Sequence, residues 1–171
     1  MSLRVTLIQG GEIGHDIVPA VKRVLEAAGV AIDWDEHVAG YEAIKQGLDP
    51  LPAPMLESVR RNGLALKTKL MPSPEKPHVN YNVQLRRTLE LYASVRPLKN
   101  IRGLPARFTG VDMLVIREIT EDLYAAIEHE IIPGVVQSLK VVTDAASRRF
   151  FRFAFRWAQN NGRKLIHCVH K

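Results

Sequence analysis

Hydrophobic and polar positions along this chain switch between a strand-like period of two and a helical period near three and a half. Val5, Leu7 and Ile8 form a short apolar run, so Arg4–Gln9 reads as a buried strand. From Asp16 the spacing changes. Ile17, Val18, Val21, Val24, Leu25 and Ala28 share one helical face, with Asp16 as the expected N-cap, Pro19 in the first turn and Gly29 as the stop. Val30, Ile32 and Trp34 alternate as in a strand. Short helices are expected near Gly40–Gln46 and Ala53–Arg61, followed by a strand at Leu64–Leu70 and a proline-rich loop at Met71–Pro77. Val83, Leu85, Leu89 and Leu91 predict a helix from about Asn80 to Leu91. A short strand, Ala93–Arg96, should close at Pro97, with loop over 100–110. Val111–Glu118 is the clearest strand, and Leu123–Ile132 and Val135–Thr143 flank Pro133-Gly134 as a hairpin. Asp144 is expected to cap a helix reaching about Asn160, Gly162 to end it, and Lys164–His170 to form a last strand.

Strands alternating with helices predict an α/β fold with a largely parallel sheet. At 171 residues the chain is long enough for a sizeable core. The net charge of +6 and pI near 9.7 permit attraction to polyanions, but no nucleic-acid motif accompanies them, so no nucleic-acid partner is expected. No apolar run approaches the ~20 residues of a membrane span, so no membrane partner is expected either. Cys168 is the single cysteine, which excludes an internal disulfide and fits a reducing compartment. The opening MSLRVTLIQG has no signal-peptide or transit-peptide character, so a cytoplasmic location is expected, or the mitochondrial matrix in a eukaryote.

The turn Gly10-Gly11-Glu12-Ile13-Gly14 leads from strand into helix, but it fails the G-x-G-x-x-G register because Glu12 and His15 stand at glycine positions. It is therefore not read as a Rossmann phosphate loop. GGEIGHDIVPAV instead resembles the opening of the isocitrate and isopropylmalate dehydrogenase family, G-D-G-I-G-P-E. Gly10, Ile13 and Gly14 fit, and Asp16 is the acidic equivalent, whereas Gly11, Glu12 and His15 depart. NYNVQLRRTLELYASVRP (Asn80–Pro97) resembles the family's S-x-N-V-x-L-R-K-x-L-D-L-Y-A-N-V-R-P. VDMLVIREITEDLYAAIEH (Val111–His129) resembles V-D-L-V-I-V-R-E-N-T-E-G-L-Y-A-G-I-E-H. The match continues through PGVVQSLKVVTDAASRRFFRFAFRWA and GRKLIHCVHK, and REITEDLYAAIEH leans toward the isocitrate enzymes.

The resemblance implies an isopropylmalate dehydrogenase-like sheet with flanking helices, incomplete at the C-terminus. Residues 1–97 would belong to the large domain, and 98–171 to the first part of the small domain with a dimer-forming hairpin near 124–143. It implies oxidative decarboxylation of isocitrate to 2-oxoglutarate with NAD or NADP and Mg or Mn. Arg86, Arg96 and Arg117 would hold substrate carboxylates, in keeping with the rigid two-pronged donor of guanidinium. Asn82 matches the asparagine beside the family's substrate-contacting serine, Asn80 replaces that serine, and Tyr124 matches the tyrosine that assists proton transfer. Met71 and Pro72 fall near the two threonines beside the nicotinamide.

Family members are much longer, and their catalytic lysine, metal-binding aspartates and most of the cofactor pocket lie beyond the residues present here. The chain alone is therefore expected to be inactive. Alternatives are a non-catalytic or regulatory ligand-binding subunit pairing with a longer relative, or an enzyme fragment acting on isopropylmalate, homoisocitrate or tartrate. A homodimer or a pair with a related chain is expected. Within the chain, LKTKLMPSPEKPHVN replaces a motif close to L-K-G-P-L-T-T-P, and Ile119 replaces the asparagine of R-E-N-T-E. Arg148, Arg152 and Arg156 read as a solvated helix face. The aromatic cluster Phe150, Phe151, Phe153, Phe155 and Trp157 suggests a helix buried on most sides or covered by a partner. His167 and His170 point to opposite faces of a strand, so no metal site is expected there.

Overall fold

The computed structural model describes residues 3–76 and 78–170. Pro77, the last residue of the expected proline-rich loop, lies outside them. The chain forms two compact units, Met1–Leu89 and Glu90–Lys171.

In the first unit β1 (Leu3–Gln9) is the middle strand of a parallel sheet, between β2 (Ile32–Val38) and β3 (Ala65–Lys67). Val5, Thr6, Leu7 and Ile8 are all buried, as expected for a central parallel strand covered on both faces. The helices are α1 (Gly14–Ala27), α2 (Tyr41–Lys45), α3 (Ala53–Asn62) and α4 (Tyr81–Thr88). Ile8, Ala39, Met55, Leu70, Tyr81 and Leu85 form the core cluster. A polar network ties β1, β2 and α3 together. Thr6 Oγ1 and Ser58 Oγ lie 2.7 Å apart, Ser58 Oγ donates to Asp35 at 2.6 Å, and Arg61 donates to the same carboxylate at 2.7 Å. Led by the Ser58 bond, these contacts hold the Asp35 carboxyl down at about 2 despite opposing burial.

Several sequence expectations shift. The first helix starts at Gly14, not at an Asp16 cap, because Gly14 N–H and His15 N–H already bond back to Gly11 and Glu12 within the glycine turn. β3 is three residues long rather than seven. α4 stops at Thr88, and Glu90 adopts a left-handed φ of 51°. Asn80 is the N-cap of α4, its side chain accepting from the Asn82 and Val83 N–H groups.

The second unit contains two antiparallel pairs and a helix: β4 (Ala93–Lys99) with β5 (Asp112–Glu118), β6 (Asp122–Ile132) with β7 (Val135–Val141), and α5 (Asp144–Asn160). β4 runs through Pro97 instead of closing there. Hydrogen bonds from Asn100 N to Val111 O and from Ile119 N to Tyr92 O fix the bonded pairs at every second residue. Pro97, opposite Leu114, is then a non-bonded position whose ring nitrogen faces outward, so the ladder loses no donor. Pro133 and Gly134, the latter at φ 83°, make the β6–β7 turn. Thr143, not Asp144, caps α5, accepting from Ala146 N at 3.3 Å. Phe151 and Phe155 are exposed on α5, so the helix is not buried on most sides within the chain, which leaves the expected alternative of cover by a partner. Arg148, Arg152 and Arg156 are exposed, as expected of a solvated face. Lys164–His170 makes no strand pairing among the described residues, against the expected last strand.

Candidate functional site

In the first unit the polar side chains gather where β3 ends and α4 begins. Carboxyl ends of parallel strands are where open α/β sheets hold ligands. Asn82 anchors the group. Its amide nitrogen donates to Leu70 O at 2.9 Å, and its oxygen accepts from Leu70 N at 3.2 Å and from Lys67 Nζ at 2.8 Å. It also donates to the Asn80 side chain at 3.4 Å. Arg86 lies one turn further along α4. Its Nε is buried and has no hydrogen-bond partner among the described residues. Lys67 is exposed as a residue, yet partial burial of its ammonium, and then the neighbouring Arg86 guanidinium, hold it below the usual lysine range. Asn80, Asn82 and Arg86 are thus neighbours, joined by Lys67, which sequence reasoning did not single out. The lysine stands inside LKTKL, but nothing local ties it to a helix 15 residues further on.

Met71 and Pro72 follow directly, both half-buried. The Met71 carbonyl accepts from Tyr41 N at 3.0 Å, fixing the loop to the start of α2. The glycine turn is packed against the same segment. A Cβ on Gly10 would stand 2.0 Å from the Lys69 carbonyl, and one on Gly14 would stand 2.9 Å from Thr68 Oγ1. Gly10 N–H donates to Thr68 Oγ1 at 2.7 Å. These glycines serve close backbone packing and leave no phosphate cradle. The residues described here therefore do not by themselves fit a dinucleotide.

In the second unit Arg117, at the end of β5, donates from its guanidinium to the Tyr124 hydroxyl oxygen, and its carbon lies 4.9 Å from the Tyr124 ring centre. An oxygen that accepts from arginine still has its own O–H to give to a ligand. Arg117 lies opposite Ser94 in the β4–β5 register, and Arg96 lies opposite Val115. Arg96 and Arg117 are therefore diagonal neighbours on one sheet face. Arg96 reaches back to Ser94 Oγ at 3.4 Å, and both arginines are exposed. The turn carrying Tyr124 is held from beneath. The Glu118 carboxylate accepts from Thr120 N at 3.0 Å and from Glu121 N at 2.9 Å. Glu121 in turn accepts from Thr143 N at 2.8 Å and Thr143 Oγ1 at 2.6 Å, tying the turn to the cap of α5. Ile119 offers no side-chain hydrogen bond here, and Glu118 organises the turn instead. Among the described residues no three His, Cys, Asp or Glu side chains gather to hold a metal ion.

A family model described as isocitrate/isopropylmalate dehydrogenase matches residues 4–171. Over 167 residues the chain is 46% identical to subunit 2 of the mitochondrial NAD isocitrate dehydrogenase of Schizosaccharomyces pombe, covering 98% of this chain and 44% of that protein. It is 39% identical to a chloroplastic 3-isopropylmalate dehydrogenase of Solanum tuberosum, covering 99% of this chain and 47% of that one. The crystal structure of isocitrate dehydrogenase from Methylococcus capsulatus matches with a TM-score of 0.84 and 39% identity, over 96% of this chain and 49% of that chain. The chain thus spans about half the length of these relatives.

Proposed function

Since this chain belongs to the isocitrate/isopropylmalate dehydrogenase family, we propose that it carries the carboxylate-binding part of a site that oxidatively decarboxylates isocitrate to 2-oxoglutarate with NAD or NADP and Mg or Mn. The observation that carries this reading is the Arg117–Tyr124 pair beside Arg96 on one face of β4–β5. Exposed guanidinium groups at that spacing suit two carboxylates of one small acid. Arg86 supports it, with a buried Nε–H that has no protein acceptor among the described residues. Tyr124, its oxygen already accepting from Arg117, keeps a proton to deliver to a carbanion formed as CO2 leaves. Within the first unit, Asn82 accepts from Lys67, which neighbours Arg86, and Asn80 is hydrogen-bonded to Asn82.

Neither a metal site nor a dinucleotide cradle is built from the described residues, so the 171-residue chain alone should bind isocitrate without turning it over. Pairing with a second copy or a longer relative through the β6–β7 hairpin fits the exposed Ile127, Ile131, Ile132, Val135, Val136 and Leu139. A non-catalytic ligand-binding subunit is the second reading, favoured by the glycine turn filled from Thr68 and Lys69. Calorimetric titration of isocitrate into the purified chain tests the proposal. Binding should weaken about tenfold or more in Arg117→Ala, as expected for a lost charge-assisted contact. Failure of the unsubstituted chain to bind isocitrate would sink it. Reduction of NAD or NADP by the chain alone would remove the prediction of inactivity.

A further inference from the structure

We infer that a groove along α5 is a binding site for a small soluble polyphosphate, held by Arg149, Arg152 and Arg156. The groove lies within the second unit and encloses about 680 Å3. Arg148, Arg149, Arg152 and Arg156 line it from the helix, and Tyr92, just ahead of β4, lines it from outside the helix. Read along α5 alone, the arginine row is a solvated face. Tyr92 and the half-buried Phe153 and Trp157 make it one wall of a cavity, which no spacing along the helix foretells.

The charge of the groove is one-sided. Asp144 is the only carboxylate in its lining, and Arg148 already takes it at 2.7 Å. Arg149 is braced on an aromatic ring. Its guanidinium carbon lies 4.5 Å from the Tyr92 ring centre, and Tyr92 in turn meets the Phe153 ring edge-to-face at 5.9 Å. A cation–π contact uses the face of the guanidinium and leaves its in-plane N–H donors open. Arg152 and Arg156 are exposed and have neither a hydrogen bond nor an ion pair among the described residues. Three guanidinium groups therefore keep N–H donors for an anion.

Their spacing sets the ligand. Positions 149, 152 and 156 follow one another at three and four residues, so the side chains are neighbours along one helix face. At 1.5 Å of rise per residue the row extends over about 10 Å. A single phosphate serves a neighbouring pair, whereas linked phosphates present acceptor oxygens along the whole row. Tyr92 is engaged by both Arg149 and Phe153, so it braces the row instead of offering a face to a nucleobase. The recognised group is the phosphate chain. The groove shares no residue with Arg96, Arg117 and Tyr124, so its failure and the failure of isocitrate binding are separate results.

Calorimetric titration of inorganic triphosphate into the full chain, without divalent cations, tests this. Triphosphate should bind one-to-one and at least about tenfold more tightly than orthophosphate. Arg152→Ala with Arg156→Ala should weaken it at least about tenfold, with the thermal midpoint of the unliganded chain unchanged because both side chains are exposed. Arg152→Lys with Arg156→Lys keeps the charge but loses the forked donors, and should fall between. Arg102→Ala with Arg107→Ala removes the same charge from the exposed 100–110 loop and should change the affinity by less than about twofold. Four results would each overturn the inference: unchanged binding in the α5 alanine pair, an equal loss in the loop pair, tighter binding of adenosine triphosphate than of triphosphate, or binding to phosphatidylserine vesicles that triphosphate does not displace.

Discussion

Replacing Asn82 with alanine tests whether this side chain holds the β3–α4 end of the first unit together. The side chain bridges both backbone groups of Leu70, donating at 2.9 Å and accepting at 3.2 Å, and Leu70 is only 1% exposed. Truncation leaves a peptide N–H and C=O without these partners beside the core cluster. Two such bonds at about 1 kcal/mol each give a loss of about 2 kcal/mol. The bond from Lys67 is solvent-exposed and adds little. The assay is urea unfolding followed by Trp34, which lies on β2, in a Trp157→Phe background that silences the second tryptophan. With a urea slope of ~1–3 kcal/mol/M, the midpoint should fall by about 1 M with the slope unchanged. Asn82→Asp keeps the oxygen that accepts from Leu70 N but sets a carboxylate oxygen against the Leu70 carbonyl in place of the donor, so it should fall at least as far. A loss under ~0.5 kcal/mol for the alanine variant would refute the argument, because that is the range of a surface substitution with no structural role.

Three further outcomes follow from the same geometry. Asp35, held down to about 2, contributes stability that is complete above the ordinary carboxylate range and disappears as pH falls through the folded value. Acid unfolding of Asp35→Asn should therefore show a flatter limb as pH drops from about 4 toward 2, and an unchanged limb would refute the network's role. Gly10→Ala should destabilise by about 3 kcal/mol in thermal or urea unfolding, since its Cβ would fall 2.0 Å from a backbone carbonyl that cannot swing aside. Asn80→Ala removes the α4 cap and should lower stability by about 1 kcal/mol; combined with Asn82→Ala it should be less than additive, since the two side chains share a bond.

What was legible in the chain was what its neighbours along the sequence decide. Pro133-Gly134 between two apolar runs predicted the hairpin, because that dipeptide itself sets the turn. The boundaries of α2 and α3 were close for the same reason, with Pro52 and Gly63 flanking α3. Errors occurred where a distant partner decides. Pro97 reads as a stop when taken alone, and only its register against β5 shows that the missing N–H faces outward. Arg117 and Tyr124 were each singled out through the resemblance, but neither their hydrogen bond nor the joining of Asn82 to Lys67 and Leu70 was expected. Neither side chain of that clamp carries a local pattern that points to the other.

The same distinction explains the uneven burial of the two units. In the first, the helices and the sheet share a core cluster, and β1 is buried along four consecutive residues. In the second, the ladders and turns form fully, yet Ala146 and Ala158 are the only buried apolar side chains among the described residues. A ladder needs only a correctly registered neighbouring strand, which a short connection supplies. A core needs a second layer, and local periodicity does not say where that layer comes from. The alternation along β6 and β7 therefore predicted strands without predicting cover. A two-stranded ribbon is at best marginally stable alone in water, and the apolar positions left open on the hairpin are in keeping with the pairing proposed above. The face of β4–β5 proposed to bind carboxylates is likewise without a second layer among the described residues. Arg96 and Arg117 hold their spacing only while the pair keeps its register, and its ladder, the Glu118–Glu121 turn, the contacts of Asp112 with Arg163 and Lys99, and the packing of Tyr92 on Phe153 are what keep it.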